Sequence, residues 1–415
     1  MKSWLIFLGV VVLSSTICDC SKRNKINPLD PGNPETDGKL SGLHVVSEKH
    51  TATLSWGAVD LEDVLGYSVY RKMEGEGKYG QVAFVAAGLS NYKDGNLDYE
   101  RNVNYKVSVV VSGYESPLTD SVSITPGPYN YWIVDGYLGF IYRLTYDGLH
   151  VISKIQSVLY PYAAAADTTS ETIWVVDTLG LLYKLSRTGE TLLIIEDLLY
   201  PTHVTFDPSA GVVWVCDGYR TRIGRYDTDG NFLGMTTGFD EISDIDYAGD
   251  SGGCWVADLK GATVQLVSSS NSIQIRVEDS LESPRAISYF QRGGWLWVAD
   301  GSRLLRIWPD GRMEEAVDTG LILLCVSTDQ TTGDCWAVLE SDDGNENAVC
   351  KFRVDGYVAA KVEGFRYVES LAANDFNGGC LAADMMNGWI VRISNEGEVL
   401  SVFTGLRRPW DIAVE

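Results

Sequence analysis

Positively charged residues are scarce in this sequence. Its 415 residues include 33 Lys and Arg against 56 Asp and Glu, which gives a formal net charge of −23. The basic residues are scattered and form no continuous stripe along the chain. A surface of this kind repels phosphate backbones, so the composition excludes nucleic-acid binding as the function.

Histidine and cysteine are also few, with four His and eight Cys. Beyond residue 20 no CxxC motif and no Cys/His spacing typical of a metal site occurs. Pairing of Cys325 with Cys335, or of Cys335 with Cys350, remains open, and buried free thiols are the alternative. The six Cys beyond residue 128 are Cys216, Cys254, Cys325, Cys335, Cys350 and Cys380.

Long hydrophobic runs are absent except at the N-terminus. Residues 4–13 are apolar and follow Lys2, which is typical of an export signal and too short to span a membrane. Residues 1–20 resemble a bacterial lipoprotein leader, although Ile17 stands where such leaders usually carry a small residue. The resemblance implies lipidation at Cys18 and an exported protein held in the cell envelope. Modification at Cys20, or ordinary signal-peptide cleavage, is the alternative.

Residues 21–38 hold three of the twelve prolines, several charges and almost no apolar side chains. Such a segment buries too little surface to offset its chain entropy. We therefore expect a flexible linker between the leader and the folded part.

Residues 39–127 alternate apolar and polar residues between turn signals, as β-strands do. The segment resembles a fibronectin type III domain: Trp56 matches the core tryptophan, Tyr70 lies on the third strand, and Tyr105 matches the tyrosine corner. The resemblance implies a two-sheet sandwich that spaces or binds. The strands that we expect cover residues 51–56, 66–72, 81–86, 104–111 and 120–125.

A tetrad of the form Trp-Val-x-Asp recurs in residues 129–415, with degenerate copies near the end. Its seven copies begin at Trp132, Trp174, Trp214, Trp255, Trp297, Trp336 and Leu381. Successive copies are 39 to 45 residues apart, which is the length of one four-stranded propeller blade. A later turn in each unit calls for a positive φ, which Gly adopts at little cost. These turn residues are Gly148, Gly189, Gly230, Asn271, Gly311, Gly356 and Gly397.

The repeat predicts a seven-bladed β-propeller over residues 129–415. Together with the resemblance of residues 39–127 to a fibronectin type III domain, it gives an all-β chain in which a sandwich precedes the propeller. The repeat begins at its second strand, residues 131–135, and ends with one extra strand, residues 409–415. We expect that last strand to pair with the first and close the ring, which leaves no open edge. The repeats resemble NHL and streptogramin-lyase-like propellers, and this resemblance indicates the fold but not the function.

The recurring Trp and Asp of the tetrads have structural interpretations. Equivalent positions in different blades lie too far apart to share one ion. We expect the aspartates to cap the turn between the second and third strands, and the tryptophans to pack blade against blade.

A metal-dependent enzyme, streptogramin-lyase-like or lactonase-like, is the alternative function that the resemblance raises. A lyase needs His beside a carboxylate and a metal, but the repeat region holds only His150, expected in an exposed turn, and His203. A lactonase needs oxygen ligands that converge on the axis, and Asp244, Glu369 and Asp411 have alanine counterparts in other repeats. We therefore predict neither a catalytic site nor a cofactor.

Aromatic and charged residues gather on the loops after the tetrads and at the starts of the inner strands. The repeat register places both sets on one face. A rigid rim of this composition suits capture of a protein, a peptide or a glycan. A structural envelope component is a further alternative. The candidate binding residues are Tyr162, His203, Tyr219, Arg220, Asp244, Arg285, Arg303, Trp389, Trp410 and Asp411.

Overall fold

The computed structural model of the protein describes residues 27–137, 139–249, 252–342 and 344–415. These ranges contain 36 β-strands and no α-helix. Within them no helix has the length and apolar character that crossing a membrane requires. The expected export leader and Cys18 lie outside the described residues.

Eight strands before residue 129 form two antiparallel sheets that enclose one core. The first sheet has the order β1-β2-β5, and the second has the order β4-β3-β6-β7, with β8 also paired to β6. Trp56, Tyr67 and Tyr105 are buried between the sheets, and the Tyr105 hydroxyl donates to Asp94 at 2.7 Å. The strands are β1 (His44–Glu48), β2 (Thr51–Ser55), β3 (Val64–Met73), β4 (Gly80–Ala86), β5 (Asn91–Asp94), β6 (Val103–Val111), β7 (Tyr114–Glu115) and β8 (Val122–Ile124).

The described part of the expected linker differs from an extended tether. Residues 27–38 form a series of turns, and the Leu29 side chain, 6% exposed, lies in the core between the two sheets. The Thr36 hydroxyl donates to the carbonyl of Pro28 at 2.6 Å. The prediction of a flexible linker is therefore wrong for this stretch, because one buried leucine packs it against the two sheets and local hydrogen bonds hold its turns together.

The remaining strands form seven four-stranded antiparallel sheets, the arrangement found in propeller blades. One sheet combines the first three of these strands with the last: β9 (Tyr131–Asp135), β10 (Phe140–Leu144), β11 (Val151–Ile155) and β36 (Pro409–Val414). The other six sheets are consecutive along the chain. Their strands are β12 (Pro161–Asp167), β13 (Thr172–Asp177), β14 (Leu181–Ser186), β15 (Thr191–Ile195), β16 (His203–Asp207), β17 (Val212–Asp217), β18 (Arg222–Asp227), β19 (Phe232–Thr237), β20 (Ile242–Tyr247), β21 (Cys254–Asp258), β22 (Thr263–Val267), β23 (Ile273–Val277), β24 (Pro284–Phe290), β25 (Trp295–Asp300), β26 (Arg303–Ile307), β27 (Met313–Asp318), β28 (Leu323–Thr328), β29 (Cys335–Glu340), β30 (Asn347–Phe352), β31 (Val358–Phe365), β32 (Val368–Ala373), β33 (Cys380–Asp384), β34 (Trp389–Ile393) and β35 (Val399–Phe403).

One strand of each sheet, which we call the inner strand, contacts the inner strands of the two neighbouring sheets. The order of contacts is β12, β16, β20, β24, β28, β32, β36 and back to β12, so the inner strands form a closed cycle. The expected pairing of the last strand with the first is confirmed: β36 pairs antiparallel with β9, and Ile412 lies opposite Ile133.

The tetrad tryptophans pack between neighbouring sheets. The six of them are at most 1% exposed. Trp132 lies in one cluster with Ile173 and Val175 of the next sheet, and Trp174 does the same with Val213. The expected packing of these tryptophans between neighbouring sheets is therefore confirmed.

The predicted turn geometry is also confirmed. The six glycines and Asn271 all have φ between 62° and 88°, a region in which a Cβ costs free energy. The tetrad aspartates do more than cap the following turn. Asp177 accepts from the N–H of Leu179 in that turn at 2.7 Å and also from the N–H of Tyr160, in the loop that enters the inner strand, at 3.0 Å.

The two-sheet unit packs on the face where the inner strands end. Glu100 of this unit accepts from Arg392 at 3.0 Å through both carboxylate oxygens, and from Asn377 at 2.5 Å. The N–H of Thr125 donates to Asp147 at 2.8 Å. The face where the inner strands begin is thus left uncovered by the two-sheet unit.

His150 was expected in an exposed turn, and the structure shows otherwise. Its Nε2 lies 2.7 Å from the carbonyl oxygen of Ser123, and its ring contacts the ring of His44 edge-on. The prediction is wrong because the two-sheet unit packs over the turn.

Truncation of the closing strand tests its role in stability. Removal of residues 410–415 leaves one edge of β9 unpaired and exposes the neighbouring sheets, so we expect a large fall in the calorimetric unfolding temperature. The single change Ile412→Ala removes one buried side chain and should cost about 2–5 kcal/mol. Ile412→Val is the conservative control. An unfolding temperature unchanged by the truncation would contradict closure by this strand.

The contact between the two-sheet unit and the seven sheets has its own test. Glu100→Gln leaves the Arg392 guanidinium, whose side chain is 7% exposed, without its carboxylate, and because the Glu100 side chain is itself 31% exposed we expect a loss of about 1.5–3 kcal/mol. We expect faster hydrogen exchange at residues 374–379 and 143–150. Glu62→Gln, an exposed position of the same unit, is the control. Equal exchange in both variants would refute the role of Glu100.

Candidate ligand-binding site

A cavity of about 430 Å³ lies within the cycle of inner strands and opens where they begin. Its volume falls within the range of pockets that hold small ligands, roughly 300–1,000 Å³. All seven inner strands contribute to its wall. Seven of the ten candidate residues line it: Tyr162, His203, Arg220, Asp244, Arg285, Trp410 and Asp411.

The other three candidate residues lie away from the cavity wall. Tyr219 is 70% exposed and stacks on Tyr200 with 5.7 Å between ring centroids. Arg303 pairs with Asp300 and donates to the carbonyl of Ser280 at 2.7 Å. Trp389 begins β34 and is 37% exposed. These side chains lie on or at the end of the loops after the tetrads, which start one strand farther from the axis; of the candidate residues on these loops, Arg220 reaches the cavity wall and these three do not.

Aromatic side chains form one side of the opening. The rings of Trp410 and Tyr162 contact each other with 4.9 Å between centroids. Trp410 also covers Gly136, where an added Cβ would lie 2.4 Å from the indole. Arg220 donates to the Tyr162 hydroxyl at 3.3 Å and lies 3.7 Å from Glu241. Packing thus holds these side chains in fixed positions at the opening.

Short polar side chains of the wall bond to the backbone of the neighbouring inner strand. Asp244 accepts from the N–H of Ile287 at 2.8 Å, and Asp246 accepts from the N–H of Tyr289 at 2.8 Å. Asp411 accepts from the N–H of Ala164 at 2.9 Å. Two of the candidate binding residues, Asp244 and Asp411, therefore also join neighbouring sheets.

Serines make the same type of bond at three further junctions. Thr328 donates its N–H to the hydroxyl of Ser288 at 3.0 Å. The other two bonds run from Ala373 to Ser327 at 2.9 Å and from Ile412 to Ser370 at 3.2 Å. The sequence signal for this set is a short polar residue inside an otherwise apolar inner strand, and the sequence analysis did not use it.

Burial shifts the pKa values of the titratable groups in the wall. It raises the pKa of Asp244 to about 8, against the backbone N–H donors that favour the carboxylate, and raises the pKa of Asp246 to about 7. Burial, helped by the nearby Arg220, lowers the pKa of His203 to about 3. His203 is therefore neutral near pH 7 and does not add positive charge to the cavity.

Two charged groups of the wall take no part in the hydrogen bonds between neighbouring inner strands. Among the described residues, neither the Glu369 carboxylate nor the Arg285 guanidinium has a hydrogen-bond or ion-pair partner, and both line the cavity. Burial, and then the charge of Asp411, raise the pKa of Glu369. Tyr367, which the sequence analysis missed, also lines the cavity, and the charges of Glu369 and Arg285 both act on its hydroxyl.

The cysteines and the potential metal ligands form neither disulfides nor a metal-binding cluster in the described residues. The six Cys beyond residue 128 are free thiols, five of them buried. Across the described ranges, no group of three or more His, Cys, Asp or Glu side chains is placed to hold a metal ion.

Solved structures show similarity to this chain at the level of the fold. A functionally unknown protein from Desulfotomaculum acetoxidans matches with a TM-score of 0.59 and 13% identity, over 69% of this chain and 98% of its own. Hydrazine synthase of Kuenenia stuttgartiensis matches with a TM-score of 0.54 and 13% identity, over 61% of this chain and 89% of its own. A nidogen/laminin complex chain has 13% identity, a TM-score of 0.45 and coverage of 69% and 98%.

No family model matches the sequence, and no curated protein matches it significantly. The structural similarities, at 13% identity, support a β-propeller-like all-β fold, and they show nothing about the ligand.

Proposed function

We propose that this chain is an exported binding protein, lipid-anchored at Cys18, in which a fibronectin type III-like sandwich carries a seven-bladed β-propeller. The open mouth of the propeller captures a protein, peptide or glycan ligand. The seven four-stranded sheets and the closed cycle of their inner strands support the propeller assignment. The two sheets around Trp56 and Tyr105 support the sandwich assignment.

The observation that carries the binding proposal is a cavity of about 430 Å³ at the mouth, rimmed by Trp410 and Tyr162 and containing charges without partners. A rigid concave site with aromatic walls and a few polar groups is typical of ligand recognition. The sandwich packs on the opposite face through Glu100 and Arg392, so it does not cover the mouth.

Binding is favoured over catalysis because three of the four wall carboxylates, all except Glu369, accept hydrogen bonds from the backbone of a neighbouring strand. Asp244 and Asp411 accept hydrogen bonds from the backbone of the neighbouring strands, and a general base or a metal ligand needs its oxygens available. His203 is the imidazole in the wall, and its Nδ1 lies 3.0 Å from the hydroxyl of Thr202. These contacts indicate that the three wall residues have a structural role.

Substitution at the mouth tests the binding proposal. The double variant Arg285→Ala/Trp410→Ala removes one charge and one aromatic wall, so we expect it to abolish the signals that the purified protein gives on peptide and glycan arrays. Trp389→Ala, which changes an exposed aromatic residue outside the cavity, is the control. Calorimetry confirms that each variant is folded. Array signals that survive the double substitution would exclude this cavity as the site.

The structural role of Asp244 can be tested separately, through the pH dependence of the unfolding temperature. Its pKa is raised from 3.8 to about 8 in the folded protein, so the folded state keeps a proton that the unfolded state releases near pH 4. The stabilisation that this proton gives is complete below that pH and is lost as the pH rises toward 8. Asp244→Asn cannot titrate and should flatten the fall of the unfolding temperature between pH 5 and pH 8.

Asp229→Asn, an exposed turn residue, is the control for this measurement. Because an asparagine oxygen still accepts the N–H of Ile287, array binding at pH 6 should persist in Asp244→Asn. Parallel pH profiles for the wild type and Asp244→Asn would show that this carboxyl does not titrate as described.

A further inference from the structure

The charges in the cavity wall restrict the chemistry of the ligand, and the inference drawn from them rests on the proposed function. An anionic ligand would meet the carboxyl groups of Asp411 and Glu369 in the same wall, and a cationic ligand would meet Arg220 and Arg285. A ligand of either single sign is repelled by part of the wall.

A neutral glycan also fits poorly. Its hydroxyl groups can bond to the wall, but they would displace water from Glu369 and Arg285 without supplying opposite charges. Removal of a charged group from water without an ionic partner costs binding free energy. A ligand that brings both an ammonium and a carboxylate group avoids this cost.

The positions of the two free charges bear on the size of the ligand. Arg285 is the second residue of β24 and Glu369 is the second residue of β32. The inner strand β28 lies between them in the cycle and contributes Leu324 and Cys325 to the wall. In a free amino acid the ammonium and carboxylate groups are attached to the same carbon. Each further residue of a peptide increases the distance between the two terminal groups by up to about 3.3–3.6 Å. A short peptide can therefore reach two charges that lie on different inner strands, and a free amino acid is less suited to do so.

We propose that the mouth binds a short peptide with free termini, its ammonium group at Glu369 and its carboxylate at Arg285. Charge-assisted hydrogen bonds of this kind are stronger than those between neutral groups, and a guanidinium binds a carboxylate through two parallel bonds. Tyr367 lines the same cavity, and the charges of Glu369 and Arg285 both act on its hydroxyl. Trp410 and Tyr162 supply the aromatic surface beside them.

The test uses a pool of tripeptides of randomised sequence, prepared in four forms. The termini are both free, N-acetylated, C-amidated, or both blocked. The fraction bound to the purified protein is measured by equilibrium dialysis and mass spectrometry. We expect the free form to bind at least tenfold more tightly than either singly blocked form, because each block removes one ionic contact.

Substitutions assign each terminus to its partner. In Glu369→Gln the free and N-acetylated pools should bind equally, and in Arg285→Gln the free and C-amidated pools should bind equally. Arg292→Gln, at an exposed position beyond the other end of β24, and Glu398→Gln, at an exposed position just before β35, are the controls and should behave as the wild type.

Three results would overturn the proposal. The first is equal binding of the free and doubly blocked pools. The second is an unchanged preference in Glu369→Gln and Arg285→Gln. The third is binding of N-acetylglucosamine trimer, but no tripeptide, that is lost in Arg285→Ala/Trp410→Ala. This last result would retain the mouth as a binding site and reject the peptide, whereas array signals unaffected by the double variant would reject the proposed function itself.

Discussion

The architecture of the seven sheets depends on how the backbone N–H groups at the free edge of each inner strand are satisfied. An inner strand pairs with a partner on one side alone, and an edge N–H that is shielded from water without an acceptor is costly. At five of the seven junctions a short Asp or Ser side chain of one inner strand accepts an N–H of the next. These bonds, together with the buried tryptophans between the sheets, hold the inner strands in a fixed cycle.

The same bonds divide the polar groups of the cavity into two kinds. Asp244 and Asp411 project from the wall, but their oxygens are occupied by the backbone of a neighbouring strand. Glu369, one residue before Ser370, lies at the bulge where β32 changes register, and its longer side chain reaches into the cavity. Side-chain length and register therefore decide whether a carboxylate bonds to a neighbouring strand or faces the cavity. The amino-acid composition of the mouth does not distinguish these two kinds of carboxylate.

Much of the architecture was predictable from the sequence because it is periodic. The spacing of the tetrads located the sheets, the positive-φ residues located the turns, and the unpaired last segment indicated its pairing with β9. Features that depend on single contacts were not predictable. Leu29 alone turns a proline-rich segment into a packed one, and the position of His150 depends on a unit distant in sequence. For the site, the repeat register placed seven residues at the cavity, but it does not show which side chains of the loops reach the cavity wall, as Arg220 does and Tyr219, Arg303 and Trp389 do not.

The closing strand β36 links the mouth, the ring of sheets and the contact with the two-sheet unit. At its start, Trp410 and Asp411 belong to the cavity wall, while its centre pairs with β9. Just beyond its end, the Glu415 carboxylate accepts from Arg143 at 2.7 Å, and Arg143 also pairs with Glu48 of the two-sheet unit at 2.6 Å. The side chain of Arg143 is 4% exposed, so loss of either carboxylate leaves its charge partly uncompensated. Packing of the two-sheet unit thereby stabilises the closing strand from the face opposite the mouth, and it helps to hold Trp410 where a ligand would meet it.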